Sequence, residues 1–292
     1  MHTMSSKYLN IKGLNTQGLK SNIDHIINLL QETDILFLSE HWLSNAENII
    51  IQNMITNKTH NIFFTPAEKQ PAGRPYGGNC FLVRNSGTEK VKVIHEDKHI
   101  LAVQFVSSSL NLIVIGVYLT CYHDLSSKDE YTQELNTITA IIEMYTDESE
   151  IIIIGDFQTF PSNMYNHLPR NSEKRNPLSP ILQRFLLDNE LELIYVVKGK
   201  GPIHTYEHKT LHNQSYIDHV AILKDSSLVI KDCRIHEKCS TNIGDHQEVE
   251  INIELEPTLP DIIKQDIPRC VPNFHYHLQN RTQPPTGSYT IQ

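Results

Sequence analysis

The chain has 292 residues, 39% hydrophobic and 20% charged, with a formal net charge of −9, the composition of an ordinary globular protein. No apolar segment reaches the ~18 residues of a membrane helix and the N-terminal MHTMSSKYLNIKGLN lacks a secretory core, so we expect an intracellular protein, nuclear or cytoplasmic, with no membrane partner. The acidic balance argues against coating of nucleic acid by bulk electrostatics, but not against an enzyme acting on a phosphodiester, because carboxylates that gather a divalent cation attract phosphate locally.

Short apolar, β-branched runs follow one another along the chain: KYLNI, DILFLSE, NIFFT, NCFLVR, VKVIH, ILAVQFV, LNLIVIGVYL, EIIIIGD, LELIYVV, YIDHVAIL and VEINIEL. Runs of this length and composition predict strands buried inside a layered fold. Helical periodicity lies between them at Ser21–Leu30, Glu130–Tyr145 and Ser179–Leu191, the last with Pro180 in its first turn. Adjacent strand signals such as VKVIH, ILAVQFV and LNLIVIGVYL favour antiparallel pairing. We therefore expect two packed, mostly antiparallel β-sheets flanked by helices, a four-layer α/β sandwich over residues 1–256. From 257 to 292 the sequence is Pro- and Asn-rich without sustained periodicity and reads as a tail or linker.

Five cysteines, Cys80, Cys121, Cys233, Cys239 and Cys270, are odd in number and mostly far apart. Cys233 and Cys239 bracket His236, but no second pair completes a metal site, and reduced thiols are the expectation.

The strands carry their chemistry at their ends. Asn10 lies near the end of the first, Glu40 follows the second, Tyr118 closes LNLIVIGVYL, Asp156 and Gln158 follow the isoleucine run, Asp218 sits in YIDHVAIL, and Asp245 and His246 precede the last strand. Strand ends on one edge of a layered sheet converge on a crevice. The inventory suits phosphodiester hydrolysis: hard oxygen ligands for Mg²⁺, a carboxylate to activate water, and a phenol and an imidazolium to stabilise the intermediate. Singly, each residue has a plainer reading: a cap for Glu40, a turn for Asn10 and Asn15 around Gly13, a core edge for Tyr118, a hairpin turn for Gly244–His246. Asp218 is harder to set aside, because a buried carboxylate without a partner costs several kcal/mol; His219 or His246 could supply one.

As an ordered set, LNIKGLN, LSEHWL, GRPYGGNCFLVR, VYLT, GDFQ, HTYEHKTLHNQSYIDHVAI and GDHQEVEI resemble the motifs of the endonuclease/exonuclease/phosphatase superfamily, which includes pancreatic deoxyribonuclease and the apurinic endonucleases. The nearest likeness is to the endonuclease domain of non-LTR (LINE-type) retrotransposons. The resemblance implies a DNase I-like fold and a Mg²⁺-dependent, DNA-nicking monomer, with Mn²⁺ a possible substitute. It places the metal on Glu40 and Asp245 with Asn10 close by, and makes Asp156 the group that orients or deprotonates water. Asp218 would set the tautomer and charge of His246, Tyr118 would donate to a non-bridging oxygen, and Thr205 would lie near the DNA.

Two positions depart from the family pattern. Gln158 stands where the family has Asn, and a displacement of ~1 Å can cost about a hundredfold in rate. Gly244 replaces Ser and keeps the turn. RNA is the second choice of substrate and lipid or inositol phosphates come well behind. The alternative is a catalytically weakened relic that binds nucleic acid. Groove contacts are expected from the loops 124–130, 163–176 and 198–210, and phosphate contacts from Lys174, Arg175, Lys198 and Lys200.

Overall fold

Four consecutive isoleucines, Ile151–Ile154, are all fully buried, because their strand is covered on both faces. Side chains alternate across a strand. Ile152 and Ile154 accordingly enter a core with Leu9, Ile11, Phe37, Phe81, Leu101 and Val103, between two sheets. Ile151 and Ile153 enter a second core with Leu135, Ile138, Leu182 and Phe185, beneath helices.

The structure is a computed structural model that describes residues 8–54, 59–71, 73–85, 87, 89–162, 164–165 and 176–255. The predicted tail, 257–292, lies outside the described residues, as do Lys174 and Arg175 and most of the loop 163–176. The strands are β1 (Tyr8–Asn15), β2 (Ile35–Ser39), β3 (His60–Thr65), β4 (Asn79–Arg84), β5 (Lys90–Glu96), β6 (Ile100–Val106), β7 (Asn111–Tyr118), β8 (Glu150–Asp156), β9 (Leu191–Leu193), β10 (Gly199–Lys200), β11 (Tyr206–Glu207), β12 (Gln214–Ser215), β13 (Asp218–Leu223), β14 (Val229–Ile235) and β15 (Val249–Glu254). The helices are α1 (Ile23–Glu32), α2 (Asn48–Met54), α3 (Leu125–Tyr145), α4 (Ser179–Asp188) and α5 (Ile194–Lys198).

One sheet runs β10-β14-β15-β1-β2-β4-β3, the other β5-β6-β7-β8-β13-β9, and β11-β12 form a separate hairpin. Most pairs are antiparallel; β1–β2, β7–β8 and β10–β14 are parallel. Helices α3 and α4 cover the outer face of the six-stranded sheet, while α1 and α2 cover that of the seven-stranded one through Ile26, Leu29, Leu30 and Ile51. The expected four-layer sandwich is thus the fold. Among the described residues no helix is long and apolar enough to cross a membrane.

Three local expectations change. The run LELIYVV is not one strand: Leu191–Leu193 pairs with β13 and Ile194–Lys198 turns helical. A continuous apolar run reads equally as strand or buried helix, and here Ile194 and Tyr195 are buried while Val197 is exposed. The segment 124–130 is not a loop either. Asp124 caps α3, its carboxylate accepting from the Ser127 amide at 2.9 Å, so the helix begins at Leu125. Strand β14 has no counterpart among the sequence signals, because Lys231, Asp232 and Arg234 interrupt its apolar run.

His60, at the start of edge strand β3, is held down to about 4 by burial and then by the charge of Arg84. Since its folded pKa lies below the ordinary value, the unfolded chain binds the extra proton, and stability falls as pH drops from about 6.5 towards 4. His60→Gln should therefore lose less stability than the native chain between pH 6.5 and 5, by about 1–2 kcal/mol in urea unfolding.

Candidate active site

Three residues far apart in sequence become lateral neighbours at one end of the six-stranded sheet. Across the parallel β7–β8 pair Tyr118 lies opposite Asp156, and across the antiparallel β13–β8 pair Asp218 lies opposite the same Asp156. His246 joins from the loop before β15, its Nδ1 2.9 Å from Asp218 Oδ2. Glu40 joins from the end of β2, where its Oε1 accepts from the Tyr118 hydroxyl at 2.6 Å. Asp156, Asp218 and His246 are all nearly inaccessible to solvent.

The backbone that presents these groups is strained. Six described non-glycine residues have positive φ, and four of them, Gln17 (43°), Glu40 (51°), Trp42 (57°) and Gln158 (60°), lie in the segments that leave β1, β2 and β8. Gly155 precedes Asp156 at φ 137°, and a Cβ there would meet the Val117 carbonyl oxygen at 2.1 Å. Gly78, at φ 87°, would place a Cβ 2.3 Å from the His41 ring. The Gly77–Gly78 segment so passes directly against the loop that carries Glu40, with Trp42 N–H donating to Gly77 O.

Asp156 accepts from Asn15 Nδ2 at 3.0 Å, from its own turn at Gln158 N–H, and from Gln158 Nε2 at 2.9 Å. The longer amide of Gln158 therefore folds back onto the carboxylate it follows. Burial, then the charge of Asp218, pushes the Asp156 carboxyl above its usual range, against the pull of His246 and the amide donors. His246 is raised to about 9: burial opposes its charge, but the charge and hydrogen bond of Asp218, then the charges of Asp156 and Glu40, outweigh it. The phenols of Tyr118 and Tyr206 are raised, first by burial and then by carboxylates that include Glu40 and Asp156; Asp245 also acts on Tyr206.

Asp245 is half-buried. Its N–H donates to Gln17 Oε1 at 2.9 Å, and its Oδ1 is buried without a hydrogen bond, with the Lys209 ammonium 3.4 Å away. The under-satisfied Asp245 carboxylate oxygen, the Glu40 carboxylate and the Gln17 amide oxygen are hard-oxygen donors of the chemistry a divalent cation takes. The buried trio Asp156, Asp218 and His246 also draws ligand atoms together, but His246 spends Nδ1 on Asp218, so a carboxylate-oriented imidazole fits it better.

The sequence-predicted residues divide. Glu40, Tyr118, Asp156, Gln158, Asp218, Asp245 and His246 gather in this crevice. Asn10 does not: it sits mid-ladder opposite Asn252, its amide donating to Glu250 and Asn252 at 2.7 Å. The asparagine in the crevice is Asn15, at the last position of β1. Asp218 takes His246 rather than His219, which turns to Thr159 O. Thr205 is fully buried and presents nothing to a groove; its hydroxyl accepts from the amides of Ile217 and Asp218 and so clamps the start of β13. Lys198 is exposed at the end of α5, and Lys200 is paired with Asp232 at 2.9 Å. Gly244 lacks a positive φ, and a Cβ there would meet Asn242 Oδ1 at 3.3 Å.

Sequence reasoning missed Gln17, Lys209 and Tyr206, whose ring lies 5.0 Å edge-on from that of His246. It also missed Asn242, which holds the His246 carbonyl through Nδ2 at 2.9 Å. Only LNTQG, where the first strand ends in a polar turn with two amides, could have pointed to Asn15 and Gln17.

No family model and no curated protein sequence matches the chain. Solved structures do. The AP endonuclease LMAP from Leishmania major is 13% identical with a TM-score of 0.68, over 85% of this chain and 88% of that one. The 3′ phosphatase NExo from Neisseria, bound to a product DNA hairpin, is 17% identical with a TM-score of 0.62, over 83% and 98%. The endonuclease domain of TRAS1, a telomere-specific non-LTR retrotransposon, is 15% identical with a TM-score of 0.61, over 85% and 99%. At these identities the likeness establishes a shared fold.

Proposed function

We propose that this chain, which has the fold of the endonuclease/exonuclease/phosphatase superfamily, is a divalent-metal-dependent phosphodiesterase, and specifically a DNA-nicking endonuclease of retrotransposon type. The observation that carries the reading is the lateral register Tyr118–Asp156–Asp218, with His246 bonded to the Asp218 carboxylate and Glu40 to the phenol. Among the solved structures of this fold are a phosphatase bound to a DNA hairpin and a retrotransposon endonuclease domain, which favours DNA over other phosphodiesters.

The roles follow from the contacts. Asp156, held at both oxygens by amide donors and raised towards neutrality, accepts the proton of the attacking water. His246, kept cationic by Asp218, faces the charge that develops on phosphorus-bound oxygen. Tyr118 offers the hydroxyl proton that Glu40 now accepts. Glu40 and Asp245 would hold the divalent ion, Mg²⁺ or Mn²⁺, which when bound neutralises phosphate charge and acts as a Lewis acid.

The test is a nicking assay with Mg²⁺ on supercoiled plasmid, apurinic DNA, RNA and a phosphoinositide in parallel. Nicked plasmid is the expected product. Preferential cleavage of RNA or the phosphoinositide would move the substrate class, and silence on all four across a metal and pH series would end the enzyme reading. Lys209 adds a second check. Its tethered ammonium competes with a cation for Asp245, though at 57% side-chain exposure solvent screens much of the charge. Lys209→Ala should tighten Mn²⁺ binding by about two- to fivefold in isothermal titration; unchanged affinity would place the ion away from Asp245.

A further inference from the structure

The spacing Cys233-x-x-His236-x-x-Cys239 looks like a unit in the sequence, and the fold takes it apart. Cys233 is buried in the core between the sheets, and His236 pairs with Glu250. Cys239, exposed in the loop after β14, meets a histidine more than two hundred residues away. Its Sγ lies 3.5 Å from Nδ1 of His25 on α1, and the opposite nitrogen of that ring, Nε2, forms an ion pair at 2.6 Å with Glu248 Oε1. The Thr241 hydroxyl closes the group, 3.1 Å from both Cys239 Sγ and His25 Nδ1. His25 and Glu248 are nearly inaccessible while Cys239 is an exposed residue. A buried base and its orienting acid thus stand behind one accessible nucleophile.

We propose that Cys239, His25 and Glu248 form a second reactive centre, an imidazole-activated thiol that exchanges with small disulfides such as oxidised glutathione. The three side chains also bring ligand atoms close enough to suggest a metal site. The ring argues otherwise, since its two nitrogens face opposite partners, and a single ion engages only one of them. A thiol and a carboxylate on the two nitrogens of one imidazole are the parts of a proton relay. His25 Nδ1 takes the thiol proton and Glu248 stabilises the imidazolium through Nε2. The Cys239 thiolate attacks one sulfur of the disulfide, forming a mixed disulfide and breaking the S–S bond. The expelled thiolate leaves reduced and takes up a proton, so Cys239 is oxidised by the disulfide it consumes.

The charges around the group agree with that direction. Burial works against ionised Cys239, but hydrogen bonds from Thr241 and from the Asn242 and Thr241 amides, with the charge of His25, bring its thiol below the ordinary value. Burial likewise opposes a charged His25, but the hydrogen bond and charge of Glu248 and the charge of Cys239 raise it, against Lys12. Lys12 itself is buried 3.5 Å from Glu250 and 3.9 Å from Glu32.

The location has a consequence for the crevice. The Cys239 carbonyl accepts from the Asn242 amide, and Asn242 holds the His246 carbonyl. A bulky adduct on Cys239 therefore bears on the loop that carries Asp245 and His246.

The test uses the full chain and iodoacetamide, with Cys239 and the exposed Cys121 as separate peptides in mass spectrometry. Cys121 is an internal control, its thiol raised by burial and then by the charge of Asp156. Cys239 should alkylate about tenfold faster than Cys121 at pH 7, and glutathione disulfide should label it first. His25→Gln and Glu248→Gln, with thermal unfolding recorded for each, should remove that advantage. Equal rates at the two thiols in the native chain would overturn the proposal. So would an unchanged Cys239 rate in a natively stable His25→Gln variant, or a stoichiometric zinc ion that survives chelator dialysis and blocks alkylation. None of these readouts depends on nicking, so the thiol chemistry stands or falls apart from the phosphodiesterase.

Discussion

Asp156→Asn should slow plasmid nicking by about a thousandfold, the scale expected when a positioned general base is lost. The substitution keeps the shape of the side chain but removes its ability to take a proton. Two amide donors, Asn15 Nδ2 and Gln158 Nε2, converge on the same oxygen, Oδ2. An amide at 156 with its oxygen in the place of Oδ2 still accepts from both, but its NH₂ then confronts the Gln158 backbone N–H that Oδ1 accepts in the native chain. The fold should survive, because the backbone of Asp156 remains paired with Tyr118 and Asp218. Thermal unfolding close to that of the native chain, together with lost nicking, is the expected pair of results. A variant that nicks at the native rate would remove Asp156 from the chemistry.

Asp218→Ala should damage stability and activity together. The Asp218–His246 pair is almost fully desolvated, with each side chain 4% exposed. Removing one member of such a pair typically costs about 3–5 kcal/mol, because the remaining charge is left without compensation. Here the loss is tempered, since the imidazole can release its proton. Without Asp218, burial is the leading influence on His246 and opposes its charge. We therefore expect about 2–3 kcal/mol lost in urea unfolding at pH 7, and nicking lowered by about a hundredfold or more. The two readouts separate orientation from mere folding: Asp218→Asn, which retains an acceptor for the ring N–H, should recover most of the stability and little of the rate. Native nicking in Asp218→Ala would mean that His246 acts uncharged or not at all.

How much of the site is legible from the sequence depends on what each residue rests on. Glu40, Tyr118, Asp156 and Asp218 stand out because an apolar run that must be buried stops at a polar group, and burial penalties make that stop informative. His246 stands out from the Gly-Asp-His turn just before an apolar strand. Asn10 and Asn15 could not be ranked in this way. They are five residues apart in one strand, and β1 pairs with β15 from Tyr8 to Gly13 but with β2 from Ile11 to Asn15. That offset between two ladders leaves Asn10 mid-sheet and carries Asn15 to the crevice.

Thr205 illustrates the same limit. Its neighbourhood in sequence is polar and loop-like, yet its hydroxyl is consumed by two backbone amides at the start of β13. Lys209 faces Asp245 only because the β11–β12 hairpin lies against the His246 loop, through the bridge between Tyr206 and His246.

Local patterning was enough to specify the layers and most of the chemistry-bearing strand ends of this chain, because hydrophobic period and the cost of a buried charge are properties of short segments. Which groups touch was a matter of register and packing. Asn15 on Asp156, His246 on Asp218 and Cys239 on His25 each join segments more than twenty residues apart, through ladder offsets and loop contacts that no single segment encodes.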